Sequence, residues 1–241
     1  MRGKKLSVTM KRREWILGLL FLPCYLFLFG LAIRFFAAEF FPTLDADSWN
    51  LIHFILCGIC VLAVFWDFLN DNFRILMNER GFIKELILFL ARYYLVALAF
   101  GLLTIILENE TGVSLENRND SALIDIFSGR SWMLFPIAVI LAPLVEESIF
   151  RGLIFSNLQK ASRFLAYAVT ILCFSAIHVV DYAADMAPLQ IIVSLLQYLP
   201  ATFFLCRIYE RCDSIFAPMV LHGSINLISL MITSFLYGFG G

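Results

Sequence analysis

The stretch LVEESIFRGLIF, residues Leu144–Phe155, decides how the rest of the chain is interpreted. It sets two adjacent glutamates and an arginine inside a run that is otherwise apolar enough to cross a bilayer. An ionisable side chain in the hydrocarbon region is costly, and such residues are retained where they have a partner or a function. The stretch therefore predicts a membrane-spanning helix that carries a polar centre.

The composition places the chain in a membrane. Hydrophobic residues make up 61% of it and charged residues 15%, and the mean hydropathy is +0.85. A soluble domain is roughly half apolar. The net charge of −1 and the lack of a basic patch exclude a nucleic-acid partner. The first apolar run, from Trp15, is longer than the core of a signal peptide, so we expect it to be retained as a span of an integral membrane protein.

About seven segments are long enough to span, since a spanning helix needs about 20 mostly apolar residues. They are Trp15–Ala38, Leu51–Leu69, Ile83–Leu107, Trp132–Leu158, Arg163–Val180, Pro188–Cys206 and Ser214–Tyr237. We expect an all-α, polytopic transmembrane helical bundle that forms a single integral membrane domain, residues 1–241. The first three spans occupy about 15–107, and the region with the polar motifs occupies about 132–237.

The positions of the basic residues predict the orientation. Lysine and arginine are enriched in short cytoplasmic loops. With the amino terminus in the cytoplasm, most of the 18 basic residues fall on the cytoplasmic side, and only Arg118 and Arg130 fall on the other. This predicts an N-in, C-out protein, with the one long connection, residues 108–130, on the outer side.

The fourth segment separates its two glutamates by their positions around the helix. Glu147 and Arg151 are four residues apart in the order that favours an intrahelical ion pair, and this pair is expected to support the site. Glu146 is rotated about 100° from Glu147 and has no partner in its own helix. Pro143 removes a backbone donor and is expected to kink the helix, which makes room for water. Glu146 is therefore the candidate reactive carboxylate, and a purely structural charge cluster is the alternative.

Two later segments carry polar residues at helical spacing. Phe174 and His178 lie on one face of the fifth segment, and His222 and Asn226 lie on one face of the seventh. A hydrogen-bonded packing role is the alternative for each. From a rise of about 1.5 Å per residue, Glu146 and these residues come to similar depths, so we expect them to meet near the middle of the membrane.

This set of side chains permits hydrolysis of an amide by an activated water. A carboxylate with a neighbouring histidine can act as general base, and a second histidine with an asparagine amide can stabilise an oxyanion. The sequence contains neither His-Glu-x-x-His nor Gly-x-Gly-Asp, so the usual metalloprotease and aspartyl motifs are absent. Two alternatives remain, which are a Ser175–His178 dyad and a zinc ion held by Glu146, His178 and His222.

The motifs resemble those of the CAAX protease and bacteriocin-processing family of intramembrane endopeptidases. The family patterns are E-E-x-x-x-R, F-x-x-x-H and H-x-x-x-N, and here they are matched in that order by Glu146–Arg151, Phe174–His178 and His222–Asn226. The resemblance covers roughly residues 133–237. It does not extend to the first three spans.

The resemblance implies a role for each matched residue. Glu146 and His178 would activate the water, His222 and Asn226 would stabilise the oxyanion, and Glu147 and Arg151 would support the site. Family members have been described both as metalloproteases and as metal-independent glutamate proteases. The resemblance favours the second kind, with no cofactor, and zinc is kept as the alternative.

The expected function is hydrolysis of a peptide bond in a membrane-associated peptide or protein. The short loops resemble those of bacterial members, which favours a bacterial cell membrane and disfavours prenylated substrates. A different class of function also fits the polar cluster, namely a non-catalytic transporter or a bacteriocin-immunity protein that uses the cluster for binding.

Overall fold

The computed structural model describes residues 6–118 and 134–238, and the chain within these ranges is helical and contains no strand. Helices α1 and α2 are joined by a π-helical turn, Cys24–Leu28, into one continuous rod. The first five helices are α1 Arg12–Pro23, α2 Phe29–Phe40, α3 Ala46–Val64, α4 Trp66–Asn78 and α5 Phe82–Thr111.

The stretch Leu144–Phe155 lies in a composite element, residues 134–158, which we call the glutamate helix. Its α-helical pieces are Leu134–Pro136, Ala142–Glu147 and Ser156–Leu158, and they are joined by π-helical segments Ile137–Leu141 and Ser148–Phe155. After it come α6 Arg163–Val179, α7 Pro188–Gln197, α8 Leu199–Cys212 and α9 Phe216–Gly238, with a short 3-10 turn, Ala183–Asp185, between α6 and α7.

Every predicted segment contains helix, and several helices have the length and composition of a membrane span. Among the described residues, four stretches qualify, namely Arg12–Ala37, Asp47–Val64, Phe82–Thr111 and Pro188–Cys212. Arg163–Val179 and Phe216–Ile232 are shorter apolar helices. The chain is an integral membrane protein, and its described residues form an all-helical fold. The seven-span count and the N-in, C-out orientation stay predictions. Trp132, where the fourth predicted segment begins, and residues 119–130 of the long connection lie outside the described ranges.

Two predicted segments are each divided into two helices. The second was expected to run to Leu69, but α3 ends at Val64 and α4 starts at Trp66. The break is stabilised from another helix, because Glu14 of α1 accepts a hydrogen bond from the backbone N–H of Phe68 in the first turn of α4, at 2.8 Å. A buried carboxylate that accepts such N–H groups acts as a helix cap supplied from outside the helix.

The sixth predicted segment is divided in the same way. Tyr198 separates α7 from α8, and Pro200 lies in the first turn of α8. A proline there lacks the N–H that a continuous helix would need, so it is well placed at a helix start and poorly placed in a helix interior.

The glutamate helix lies at the centre of the bundle. Val145, Ile149, Phe150 and Phe155 are almost fully buried, as are both glutamates and Arg151. By contrast, α2 and α5 carry many exposed large apolar side chains. This distribution is the one expected when outer helices face lipid and a polar helix is enclosed by them.

Candidate active site

Glu146 faces the two histidines of the other polar segments. Its Oε2 atom lies 3.9 Å from Nε2 of His178 on α6 and 4.0 Å from Nε2 of His222 on α9. Glu146 and His222 are buried, and His178 is partly buried. The Oε2 atom has no hydrogen-bond partner among the described residues. The structure thus brings a carboxylate oxygen and two ring nitrogens to one place, each within reach of a common small ligand.

The second nitrogen of each ring fixes its orientation and tautomer. Nδ1 of His178 lies 2.8 Å from the backbone carbonyl oxygen of Phe174, and Nδ1 of His222 lies 2.9 Å from Oε1 of Glu147. A carbonyl and a carboxylate can only accept, so both Nδ1 atoms carry the proton and donate. In the neutral rings, both Nε2 atoms therefore present lone pairs toward Glu146.

Glu147 joins two elements through one oxygen atom. Its Oε1 accepts from Arg151 Nη1 at 2.9 Å and from His222 Nδ1 at the same distance. The side chains of Glu147 and Arg151 are 0% exposed. The guanidinium carbon of Arg151 also lies 4.5 Å above the ring of Phe174, a cation–π geometry. The pair predicted from the four-residue spacing is formed, and it contacts His222 through Glu147 and Phe174 through Arg151.

His178 lies between two aromatic rings. The ring centroids of Phe174 and Tyr198 are 4.6 and 4.7 Å from that of His178. Phe174 was part of the predicted motif, whereas Tyr198 was missed because it lies at the α7–α8 junction and is separated from His178 in sequence. The only sequence feature near it that could have indicated a helix break was Pro200, two residues later. Ser175, the alternative nucleophile, has an Oγ atom with no hydrogen-bond partner among the described residues.

Asn226 is held against the π-helical turn Ile137–Leu141. Its Nδ2 donates to the backbone carbonyl oxygen of Ala138 at 2.8 Å. The amide group has two N–H donors, so one remains after this bond. No hydrogen bond joins Asn226 to Glu146 among the described residues, and the oxyanion role of Asn226 stays a prediction.

Gly223 allows α9 to approach this turn closely. A Cβ atom added at Gly223 would clash with the backbone carbonyl oxygen of Val139. The absence of a side chain therefore sets the distance between α9 and the glutamate helix, and with it the position of His222 relative to Glu147.

Gly223→Ala is expected to destabilise the fold by about 1 to 3 kcal/mol. The new methyl group would meet the backbone carbonyl oxygen of Val139, which cannot rotate away, so α9 and the glutamate helix would have to move apart. Activity should fall with it, because His222 is displaced. Thermal unfolding in detergent and a cleavage assay measure both effects. Gly101→Ala on α5 is the matched control, since no heavy atom lies within 4 Å of a Cβ added there. A Gly223→Ala protein as stable and active as the Gly101→Ala protein would contradict this close-packing account.

Comparisons with known proteins relate this helical membrane protein to membrane peptidases. Residues 128–228 match the family model described as "Type II CAAX prenyl endopeptidase Rce1-like". The chain is also 26% identical over 180 residues to the "Putative membrane peptidase YdiL" of Bacillus subtilis (strain 168), which covers 74% of this chain and 68% of that protein. No solved structure matches the chain significantly.

The matched region contains all three motifs, Glu146–Arg151, Phe174–His178 and His222–Asn226. These matches support the CAAX protease and bacteriocin-processing family for residues 128–228. The family match and the Bacillus subtilis relative support a membrane protease.

Proposed function

We propose that the chain is an intramembrane endopeptidase in which Glu146 and His178 activate a water molecule for attack on a peptide bond. The observation that carries the proposal is the approach of Glu146 Oε2 to Nε2 of His178 and of His222, at 3.9 and 4.0 Å. Three acceptor atoms that face one another repel unless a hydrogen-bond donor or a positive charge lies between them. A water molecule at about 2.8 Å from each would donate one O–H to Oε2 of Glu146 and the other to one of the two ring nitrogens, which relieves most of this repulsion.

Each of the four polar side chains then has a role in the hydrolysis. Glu146 removes a proton from the water as the oxygen forms its bond to the carbonyl carbon of the substrate. The proton passes to the amine as the C–N bond breaks, with His178 sharing it between the two steps. His222, held at Nδ1 by Glu147, stabilises the oxyanion from Nε2 once that nitrogen has received a proton, and Asn226 contributes its remaining N–H.

The zinc alternative requires a different geometry. Zinc holds imidazole nitrogens and carboxylate oxygens at about 2.0 to 2.2 Å in a tetrahedron, which puts the ligand atoms about 3.3 Å apart. The donor types fit, but the separations of 3.9 and 4.0 Å are wider, and no three His, Cys, Asp or Glu side chains meet at metal-binding distances in residues 6–118 and 134–238. These separations do not fit a zinc ion, so in the proposed mechanism the protein side chains activate the water without a metal.

A chelator-treated preparation is therefore expected to keep its cleavage rate. Protein purified in detergent, stripped with a strong chelator and returned to vesicles should match the untreated protein, and elemental analysis should find far less than one zinc per chain. Loss of activity on chelation that stoichiometric zinc restores would contradict the metal-free mechanism, and would make His222 a ligand rather than an oxyanion donor.

The substrate is proposed to be a membrane-associated peptide or protein, cleaved in a bacterial cell membrane, as the similarity to the Bacillus subtilis peptidase suggests. Vesicles that hold the purified protein and a set of membrane-anchored peptides test this, with mass spectrometry used to detect new termini. New termini that depend on the protein support an endopeptidase. If the folded protein binds these peptides but leaves all of them uncleaved, a binding function would be favoured.

A further inference from the structure

A second buried carboxylate lies far from Glu146, where α6 begins and α8 ends. Glu210 has a side chain that is 5% exposed, and it accepts five hydrogen bonds. Arg163 donates twice, from Nε and Nη2, at 2.7 Å each. Arg207 donates from Nη1 at 2.9 Å, and Gln159 and Tyr167 donate at 2.7 Å each.

This cluster holds one positive charge in excess. Arg163 and Arg207 share the single carboxylate, and within the described part of the chain neither guanidinium forms an ion pair with another acid. The carboxylate is enclosed, but the arginine side chains are 36% and 43% exposed. Each guanidinium has five N–H groups and donates only one or two of them to Glu210, so the others remain available. The cluster therefore presents fixed, oriented donors to the outside.

The surface beside the two arginines is apolar. Phe164, next to Arg163, is 84% exposed, and Phe203, one turn before Arg207, is also exposed. The rings of Tyr167 and Phe203 contact each other across α6 and α8, at 5.7 Å between centroids. An exposed aromatic surface with a cationic edge at the end of two helices is typical of the level where acyl chains meet lipid headgroups.

We propose that the Arg163–Arg207 pair binds the phosphate of an anionic phospholipid, whose acyl chains lie along the exposed aromatic surface of Phe164 and Phe203 on α6 and α8. Glu210 orients the two guanidiniums and neutralises one of them, and the phosphate neutralises the other. Arginine suits this role because its planar fork matches phosphate oxygens. The bound lipid joins the start of α6, the helix that carries His178, to the end of α8.

The test uses the full-length protein in a neutral detergent and does not depend on cleavage. The protein is titrated with short-chain phosphatidylglycerol, with short-chain phosphatidylcholine and with inorganic phosphate, while thermal unfolding is followed. A ligand that binds only the folded state raises the unfolding temperature with its concentration. We expect phosphatidylglycerol to raise it at lower concentration than the other two.

Arg207→Gln should weaken this response, and the midpoint concentration should rise roughly tenfold, the effect of one lost charge-assisted hydrogen bond. Glu210 keeps four hydrogen bonds in this variant, so the fold should persist. Arg163→Gln removes the other guanidinium and should raise the midpoint concentration by a similar factor. For each variant, the unfolding temperature with lipid is compared with that of the same variant without lipid. A change in stability that does not involve lipid therefore does not affect the comparison. Arg211→Gln is the matched control, because Arg211 lies on the same helix end but pairs with Glu85.

Three results would overturn the proposal. These are an unchanged midpoint in both Arg207→Gln and Arg163→Gln, an equal shift in Arg211→Gln, and an equal response to inorganic phosphate. The first would leave the cluster a structural network, the second would indicate general attraction of the basic helix end to anionic lipid, and the third would assign the site to free phosphate.

Discussion

Arg151→Ala is expected to lower the free energy of unfolding by about 3 to 5 kcal/mol, the usual result of removing one partner of a buried ion pair. The change leaves Glu147 charged, fully buried and bound only to His222 among the described residues. It also removes the cation above the ring of Phe174. Yield of folded protein, thermal unfolding and activity should fall together, because the same pair supports the histidine of α9.

A double variant separates the charge from the packing. Glu147→Gln with Arg151→Met removes both charges, keeps an oxygen that can accept from His222 Nδ1 and keeps most of the volume. Replacement of a buried ion pair by uncharged groups of similar size is often nearly neutral in stability. The double variant should therefore be clearly more stable than Arg151→Ala. Equal stability of Arg151→Ala and the natural protein would rule out the supporting role of this pair.

The sequence predicted what depends on neighbouring positions in one helix. Four-residue spacing was sufficient for the Glu147–Arg151 pair, and a 100° rotation was sufficient to leave Glu146 without a partner in its own helix. Similar depth in the membrane also predicted that His178 and His222 would come near Glu146. These inferences needed only helix geometry and the high cost of an uncompensated charge in hydrocarbon.

The sequence did not reveal what depends on contacts between distant elements. Glu14 caps α4 from α1, and no local pattern indicates that a glutamate in the first helix ends the second predicted span. The π-helical segments around Glu146 carry no compositional mark either. One of them supplies the carbonyl oxygen of Ala138 that binds Asn226, a residue for which the resemblance implied only an oxyanion role. Tyr198, at the junction of α7 and α8, packs against the ring of His178 on α6, and this contact between distant elements also has no local sequence pattern.

Glu146→Gln is expected to reduce the cleavage rate by about 10²- to 10⁴-fold, the usual contribution of a general base. The amide keeps the volume of the side chain and its ability to bond a water, but it cannot take the proton. Oε2 of Glu146 has no hydrogen-bond partner among the described residues, so the exchange breaks no hydrogen bond of that atom. The stability of the variant should be close to that of the natural protein, in contrast to Arg151→Ala.

Glu110→Gln is the matched control for this change. It makes the same chemical exchange on an exposed position of α5, away from the polar centre. It should alter neither cleavage nor unfolding temperature. A loss of activity in both variants would point to a general effect of the substitution on the protein or on the vesicles.

The most direct measurement compares the natural protein, Glu146→Gln and Glu110→Gln, each purified, shown to be folded and reconstituted at equal density with the same membrane-anchored peptide. The rate at which new peptide termini appear is followed by mass spectrometry. We expect termini to appear at similar rates with the natural protein and Glu110→Gln, and almost none with Glu146→Gln. Cleavage by Glu146→Gln at the natural rate would contradict the claim that this carboxylate activates the water.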